Sequence, residues 1–280
     1  MTSQQHSIIG LPGSGKTTFL AALWHLIDAG EVSSKFILDK LVGDHTHLNA
    51  IVAAWRRCEE VERTSMAAEA RVSIHVKEVS SGNTAVLHFP DLSGESFELQ
   101  LSSRSCSLEY VESFEGGGGV LLFVTADKPS EGMSIIDAAP LVRGEAVAEN
   151  IEDHVEWSHQ LVSSQVSLVE LLQFLQVPHF PRETRRVAVI VSAWDAIQNP
   201  QLEPVQWLER ELPFLYQYLI SNPECFDFQV YGVSAQGGDV KTSKRLELIE
   251  QTPSMRIQCV GPSTDPHDLT SPIAWLMSSE

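Results

Sequence analysis

No stretch of this sequence approaches the run of about 18 apolar residues that a membrane-crossing helix needs. The opening Met1-Thr2-Ser3-Gln4-Gln5-His6 also lacks the basic start and apolar core of a secretory leader. Both absences lead us to expect a cytoplasmic protein with no membrane span. Cysteine is scarce: Cys58, Cys106, Cys225 and Cys259 stand far apart with no C-x-x-C pair, which argues against a zinc or redox centre and for ordinary reduced thiols. Basic residues are outnumbered, 19 against 37 acidic, and the resulting net charge of −18 repels nucleic-acid backbones and anionic lipid surfaces. Internal repeats and low-complexity tails are missing too, which speaks against a filament or an array. His45 and His47 have the spacing of metal ligands, but two such histidines are usually surface residues, and we assign them no role.

What is present is a 280-residue chain with 43% hydrophobic residues, enough for a large core. Near its start, Ser7-Ile8-Ile9 reads as the end of a buried strand and Thr17 to Ile27 as an amphipathic helix. Between them runs Gly10-Leu11-Pro12-Gly13-Ser14-Gly15-Lys16-Thr17, which fits G-x-x-x-x-G-K-[ST]. The chemistry follows from the spacing. Glycines let backbone N–H groups turn inward onto phosphates, the N-terminus of the following helix adds its positive dipole end, and Thr18 extends that cradle. Lys16 is expected to contact the β and γ phosphates, and the Thr17 hydroxyl to bind Mg²⁺.

Later segments bear on the class of nucleotide. Arg71–Val76 and Thr84–Phe89 read as a strand hairpin joined by a Ser80-Ser81-Gly82-Asn83 turn, and Asp91-Leu92-Ser93-Gly94-Glu95 follows it. An Asp at a strand end can hold the Mg²⁺ shell, and a Gly can bring a backbone N–H to the γ-phosphate. Two apolar strands come next, Val120–Thr125 and Val187–Val191, the second leading into Ser192-Ala193-Trp194-Asp195; a last strand, Phe228–Val233, leads into Ser234-Ala235-Gln236.

In this order the motifs resemble those of Ras-like GTPases of the translation-factor-related class, across nearly the whole chain. The finer resemblance, carried by Ile9–Ile27, Phe89–Glu95 and Ser192–Asp195, is to the bacterial double-GTPase proteins of conflict and defence systems. The resemblance implies an α/β fold, a three-layer αβα P-loop sandwich whose sheet is mostly parallel with one antiparallel strand. It implies GTP or GDP with Mg²⁺ as ligands, and a companion GTPase or effector as protein partner. It also implies that Asp195 accepts from the guanine N1 and N2 donors and that Ala235 offers its N–H to O6, with Ala193, Ser234 and Gln236 around the base. This chain departs from the pattern where Ser192 and Ala193 replace Asn and Lys, and where Gln236 replaces a Lys. Trp194 either stacks on a ligand or packs in the core.

Glu95 occupies the place of a water-orienting Gln, so catalysis is expected to rest on Lys16, Gly94 and Glu95, with slow turnover because a carboxylate opposes the γ-phosphate. We expect Thr64 as the switch threonine on Mg²⁺, with Thr17 and Asp91; Thr46 reads instead as the start of a helix. Arg63 reads as a solvated surface residue or as an arginine finger supplied in cis. We expect a single domain over 1–280 with expansions at about 31–63 and 128–181, the latter containing an amphipathic helix near Val166–Leu172. The run Glu115–Gly119 reads as a connector that either frees the helix after the switch or simply links two elements. Two other functions compete with a hydrolysing switch: a nucleotide-dependent scaffold without useful hydrolysis, and a P-loop ATPase or kinase.

Overall fold

A computed structural model of the chain describes residues 4–40, 46–60, 72–89, 94–114, 117–127, 162–199 and 201–278. Eight strands form one sheet: β1 (Gln4–Gly10), β2 (Phe36–Lys40), β3 (Val72–Glu78), β4 (Thr84–Phe89), β5 (Val120–Thr125), β6 (Arg185–Ser192), β7 (Phe226–Ser234) and β8 (Gln258–Val260). Their order across the sheet is β2-β3-β4-β1-β5-β6-β7-β8. The centre, β4-β1-β5-β6-β7, is parallel. Two strands oppose it: β3, as expected, and β8, which pairs antiparallel with β7 and had no counterpart in the sequence reading. The edge strand β2 pairs antiparallel with β3.

The central strands are apolar at nearly every position because helices cover both faces. On β5, Leu121 and Phe123 enter one core with Ile8, Ala188 and Ile190, while Val120, Leu122 and Val124 enter the other with Ile9, Val187, Val189 and Val191. The first core is closed by α1 (Lys16–Ala29), α2 (Thr46–Arg56) and the C-terminal α10 (Ser271–Met277), which has Pro272 in its first turn as expected. The second is closed by α3 (Glu95–Ser103), α4 (Leu108–Glu112), α5 (Ser164–Phe174), α6 (Pro204–Glu211) and α7 (Pro213–Ser221). Two short helices, α8 (Lys244–Glu250) and α9 (Pro253–Arg256), link β7 to β8. The outcome is the expected three-layer sandwich.

The first expansion supplies β2 and α2, and α2 lies over α1. That explains why α1 is buried on nearly all sides, from Phe19 through Ile27, and not only along one stripe. Within the second, α5 adds Leu168, Leu171 and Leu172 to the core.

The last two glycines of the run before β5 are tightly packed. A Cβ on Gly118 would fall 1.3 Å from the Gln5 carbonyl oxygen, and one on Gly119 would fall 2.6 Å from Leu276 Cδ2 and 2.8 Å from the Arg186 oxygen. These residues are glycine because the chain passes hard against β1 and β6 as it enters β5. Helix α3 is tethered at its far end, where Arg104 pairs with Glu170 of α5 at 2.5 Å and lies over the Phe174 ring. Gly118→Ala is therefore expected to cost about 1–3 kcal/mol of stability, read as a lower urea midpoint with an unchanged slope.

At the same junction the Gly119 N–H donates to Nδ1 of His6, whose ring is wholly buried. Burial, reinforced by nearby His88, lowers the His6 pKa to about 4. The folded chain keeps this imidazole neutral while the unfolded chain protonates near the usual 6.5, so stability present above that pH is lost as pH falls towards 4. The loss should be on the order of 3 kcal/mol. Urea midpoints between pH 7.5 and 4.5 should fall less steeply in His6→Asn than in the parent chain.

Candidate functional site

The motifs come together along the C-terminal edge of the parallel strands, where an open α/β sheet presents its loops to ligands. β1 ends at Gly10, the loop turns through residues 11–15, and α1 begins at Lys16. Tight packing explains the glycines. A Cβ on Gly10 would lie 2.8 Å from Ser14 Oγ and 2.9 Å from Phe123 Cβ; one on Gly15, which sits at φ 90°, would lie 2.8 Å from both Cβ and Oγ of Ser192. Gly13, at φ 75°, faces open space. Leu11 and Pro12 complete the rim, and Thr17 and Thr18 form the half-exposed first turn of α1.

Lys16 is only 2% exposed. Its ammonium donates to the carbonyls of Gly10 at 2.8 Å and Leu11 at 3.0 Å, which hold the side chain folded back over the loop. The Phe97 ring of α3 lies 5.9 Å away. Gly94, the left-handed N-cap of α3 at φ 83°, is packed against the same place: a Cβ there would meet Lys16 Nζ and Pro12 N at 2.7 Å. The fold thus brings Gly94, nearly 80 residues downstream, onto the loop lysine. Glu95 follows as the exposed first residue of α3.

The other end of the site lies where β6 and β7 finish. Ser192 ends β6 beneath Gly15, so the residue standing in the place of Asn still touches the loop, through a shorter side chain that fits because Gly15 has no Cβ. Ala193 adopts φ 53° and starts a 3₁₀ turn, Trp194–Ala196. The Trp194 indole covers Gly232, where a Cβ would approach to 2.4 Å, and joins the second core; it is a packing residue. Asp195 accepts a short hydrogen bond from the Ser234 hydroxyl, which in turn accepts from Gly237 N at 3.1 Å. The Ala235 carbonyl accepts from the Trp55 indole at 3.0 Å. Gln236 turns its amide to the Trp55 carbonyl at 3.3 Å, and so points to α2.

Asp91, Thr64, Arg63 and His45 lie outside the described residues, as does the side chain of His47. Thr46 opens α2, as its sequence context indicates. Two participants were not singled out from the sequence. Phe97 and Trp55 both sit at spacings that read as core, and nothing in such a spacing tells which polar group an aromatic edge will meet.

A phosphate chain fits this arrangement. The loop turns through two left-handed glycines onto a helix start with no side-chain cap, beside a buried ammonium. Of the expected Mg²⁺ ligands, Thr17 stands at the matching position on α1.

No curated protein matches this chain. Among solved structures it resembles a bacterial selenocysteine-specific elongation factor, EF-Sec, at 10% identity and TM-score 0.38, covering 89% of this chain and 28% of the factor. It also resembles an Era variant from Aquifex aeolicus bound to GDP·AlF4⁻, at 16% identity and TM-score 0.33, over 97% of this chain and 60% of Era. A third is the G domain of the T. maritima FeoB iron transporter, at 13% identity and TM-score 0.31, over 88% and 96%. The chain therefore spans only part of the length of the first two. Among the described residues no helix is long and apolar enough to cross a membrane. The Double-GTPase 1 family matches residues 7–276, and this chain belongs to that family.

Proposed function

We propose that this protein binds GTP with Mg²⁺ and hydrolyses it slowly, as a switch acting with a companion GTPase or effector protein. The observation that carries the reading is the contact of Gly94 with Lys16 and Pro12, which joins the segment after β4 to the phosphate loop. A switch needs that adjacency, because a backbone N–H at Gly94 can respond to whether a γ-phosphate is there.

The roles follow from position. Backbone N–H groups of Leu11 and of Gly13 to Thr18, with the Lys16 ammonium, bind the phosphates, and Pro12 shapes the loop without donating. Thr17, Asp91 and Thr64 hold Mg²⁺, which when bound neutralises phosphate charge. Gly94 and Glu95 border the γ-phosphate, with Glu95 orienting the attacking water. Asp195 accepts from guanine N1 and N2, and the Ala235 N–H donates to O6, in a pocket bordered by Ala193, Ser234 and Gln236. A carboxylate in that place rejects adenine, which offers no matching pair of donors. The conflict-system setting and a cytoplasmic location rest on the resemblance in sequence.

One specific residue favours a second reading. Glu95 is a carboxylate where the related pattern has an amide, and its charge beside a γ-phosphate favours a scaffold that binds GTP without useful turnover.

Titration with fluorescent GTP, GDP and ATP analogues in Mg²⁺, with phosphate release followed in the same samples, separates these readings. Guanine-selective binding with release supports the switch, and selective binding without release supports the scaffold. Preference for ATP overturns the assignment of Asp195. In Lys16→Ala, triphosphate affinity should fall by at least about tenfold, since a buried charge-assisted contact is lost. Asp195→Asn should weaken GDP binding by about 10- to 100-fold and raise affinity for xanthine nucleotides, whose O2 accepts the new amide N–H. Calorimetry of the two nucleotides against both proteins checks this.

A further inference from the structure

Helix α2 belongs to the expansion between α1 and β3, yet its last turn is bonded to the loop after β7. Trp55 is fully buried, with its ring 5.2 Å from that of His25 and the Arg256 guanidinium 4.7 Å from its centroid. Held this way, its indole N–H donates to the Ala235 carbonyl at 3.0 Å. The exchange is mutual: the Gln236 amide donates back to the Trp55 carbonyl at 3.3 Å and lies 3.4 Å from Cys58 Sγ. Beyond that loop, Arg245 Nε on α8 donates to the Cys58 carbonyl at 2.9 Å, and Arg256 Nη2 on α9 reaches the Arg56 carbonyl at 3.5 Å. The Trp55 carbonyl also accepts from the Cys58 backbone N–H at 3.0 Å, so these contacts add to the closing of the last turn of α2.

The preceding residue of the loop is fixed as well, since Ser234 is held between Asp195 and Gly237 N. The Ala235 backbone is thus pinned on one side by a side-chain hydroxyl and on the other by an indole. We infer that Trp55 and Gln236 are specificity-determining positioning residues, which aim the Ala235 N–H at the 6-position oxygen of a purine. The inference rests on the reading of this site as a guanine pocket. It gives Gln236 a task that a Lys could not perform in the same way: the amide ties the loop to α2 instead of extending over the base. Hydrogen bonds select by direction, so a donor released to wander loses preference for an oxygen acceptor before it loses general affinity.

The test compares the parent chain with Trp55→Phe, which keeps an aromatic ring but has no N–H, and with Gln236→Ala. Each is titrated calorimetrically with GDP, IDP, 6-thio-GDP and ADP in Mg²⁺. IDP keeps O6 and lacks the N2 amine; 6-thio-GDP keeps N1–H and the N2 amine but presents sulfur, a weaker acceptor. In both variants GDP and IDP should weaken by the same factor, about fivefold for one lost hydrogen bond. Affinity for 6-thio-GDP should change by less than twofold, so that the preference for oxygen over sulfur shrinks. Equal weakening for all four nucleotides, the signature of a structural role alone, overturns the inference, as does no change. Should Trp55→Phe fail to fold, judged by its thermal transition, the Gln236→Ala ratios decide alone. A parent chain with no preference for GDP over ADP overturns the guanine reading itself, and that outcome is seen before any variant is compared.

Discussion

The site is organised around one buried ammonium in a strongly acidic protein. Lys16 is taken out of water and held by two backbone carbonyls, an arrangement that carries a desolvation cost of several kcal/mol. An ammonium held in this place, beside a glycine-rich turn and the start of α1, suits an anionic ligand. A net charge of −18 makes the general field of the protein unfavourable to such a ligand, and attraction must come from this cation, the loop N–H groups and the α1 dipole at short range.

Everything near Lys16 is built for close approach. Gly10 leaves room for Phe123 of the neighbouring strand, Gly15 leaves room for Ser192, and Gly94 leaves room for Lys16 itself. The three contacts link the phosphate loop to β5, to the end of β6 and to the start of α3. Because each contact is between backbone and a neighbour with no slack, a displacement of the loop is felt by all three segments. The expansion adds a fourth connection: α2 covers α1, while its last turn holds the loop after β7.

Much of the frame was legible in the sequence. Thr84–Phe89 and Val120–Thr125 are strands with the bounds their apolar runs predict, a helix begins at Thr46, and another covers Val166–Leu172, extended by two residues at each end. The edge strands β2 and β8 were not legible. Phe36–Lys40 carries two charges and Gln258–Val260 has three residues, so their extended form depends on the strand beside them. The close packing of Gly118 and Gly119 before β5 was not legible either, since composition reports conformational freedom and says nothing of a neighbour pressed against the backbone.

By itself the sequence determined the phosphate loop, the succession along the chain of the strands that carry the motifs, and the apolar character of those strands. These are local or periodic properties, set by glycine spacing, by the position of Lys16 and by which residues are apolar. The tertiary structure alone decided that Gly94 rests on Lys16, that Trp194 is spent on packing over Gly232, and that Gln236 turns to Trp55. Each of these is a meeting of groups distant in the chain, whose partner is chosen by how helices and strands pack, and no spacing within one segment encodes it.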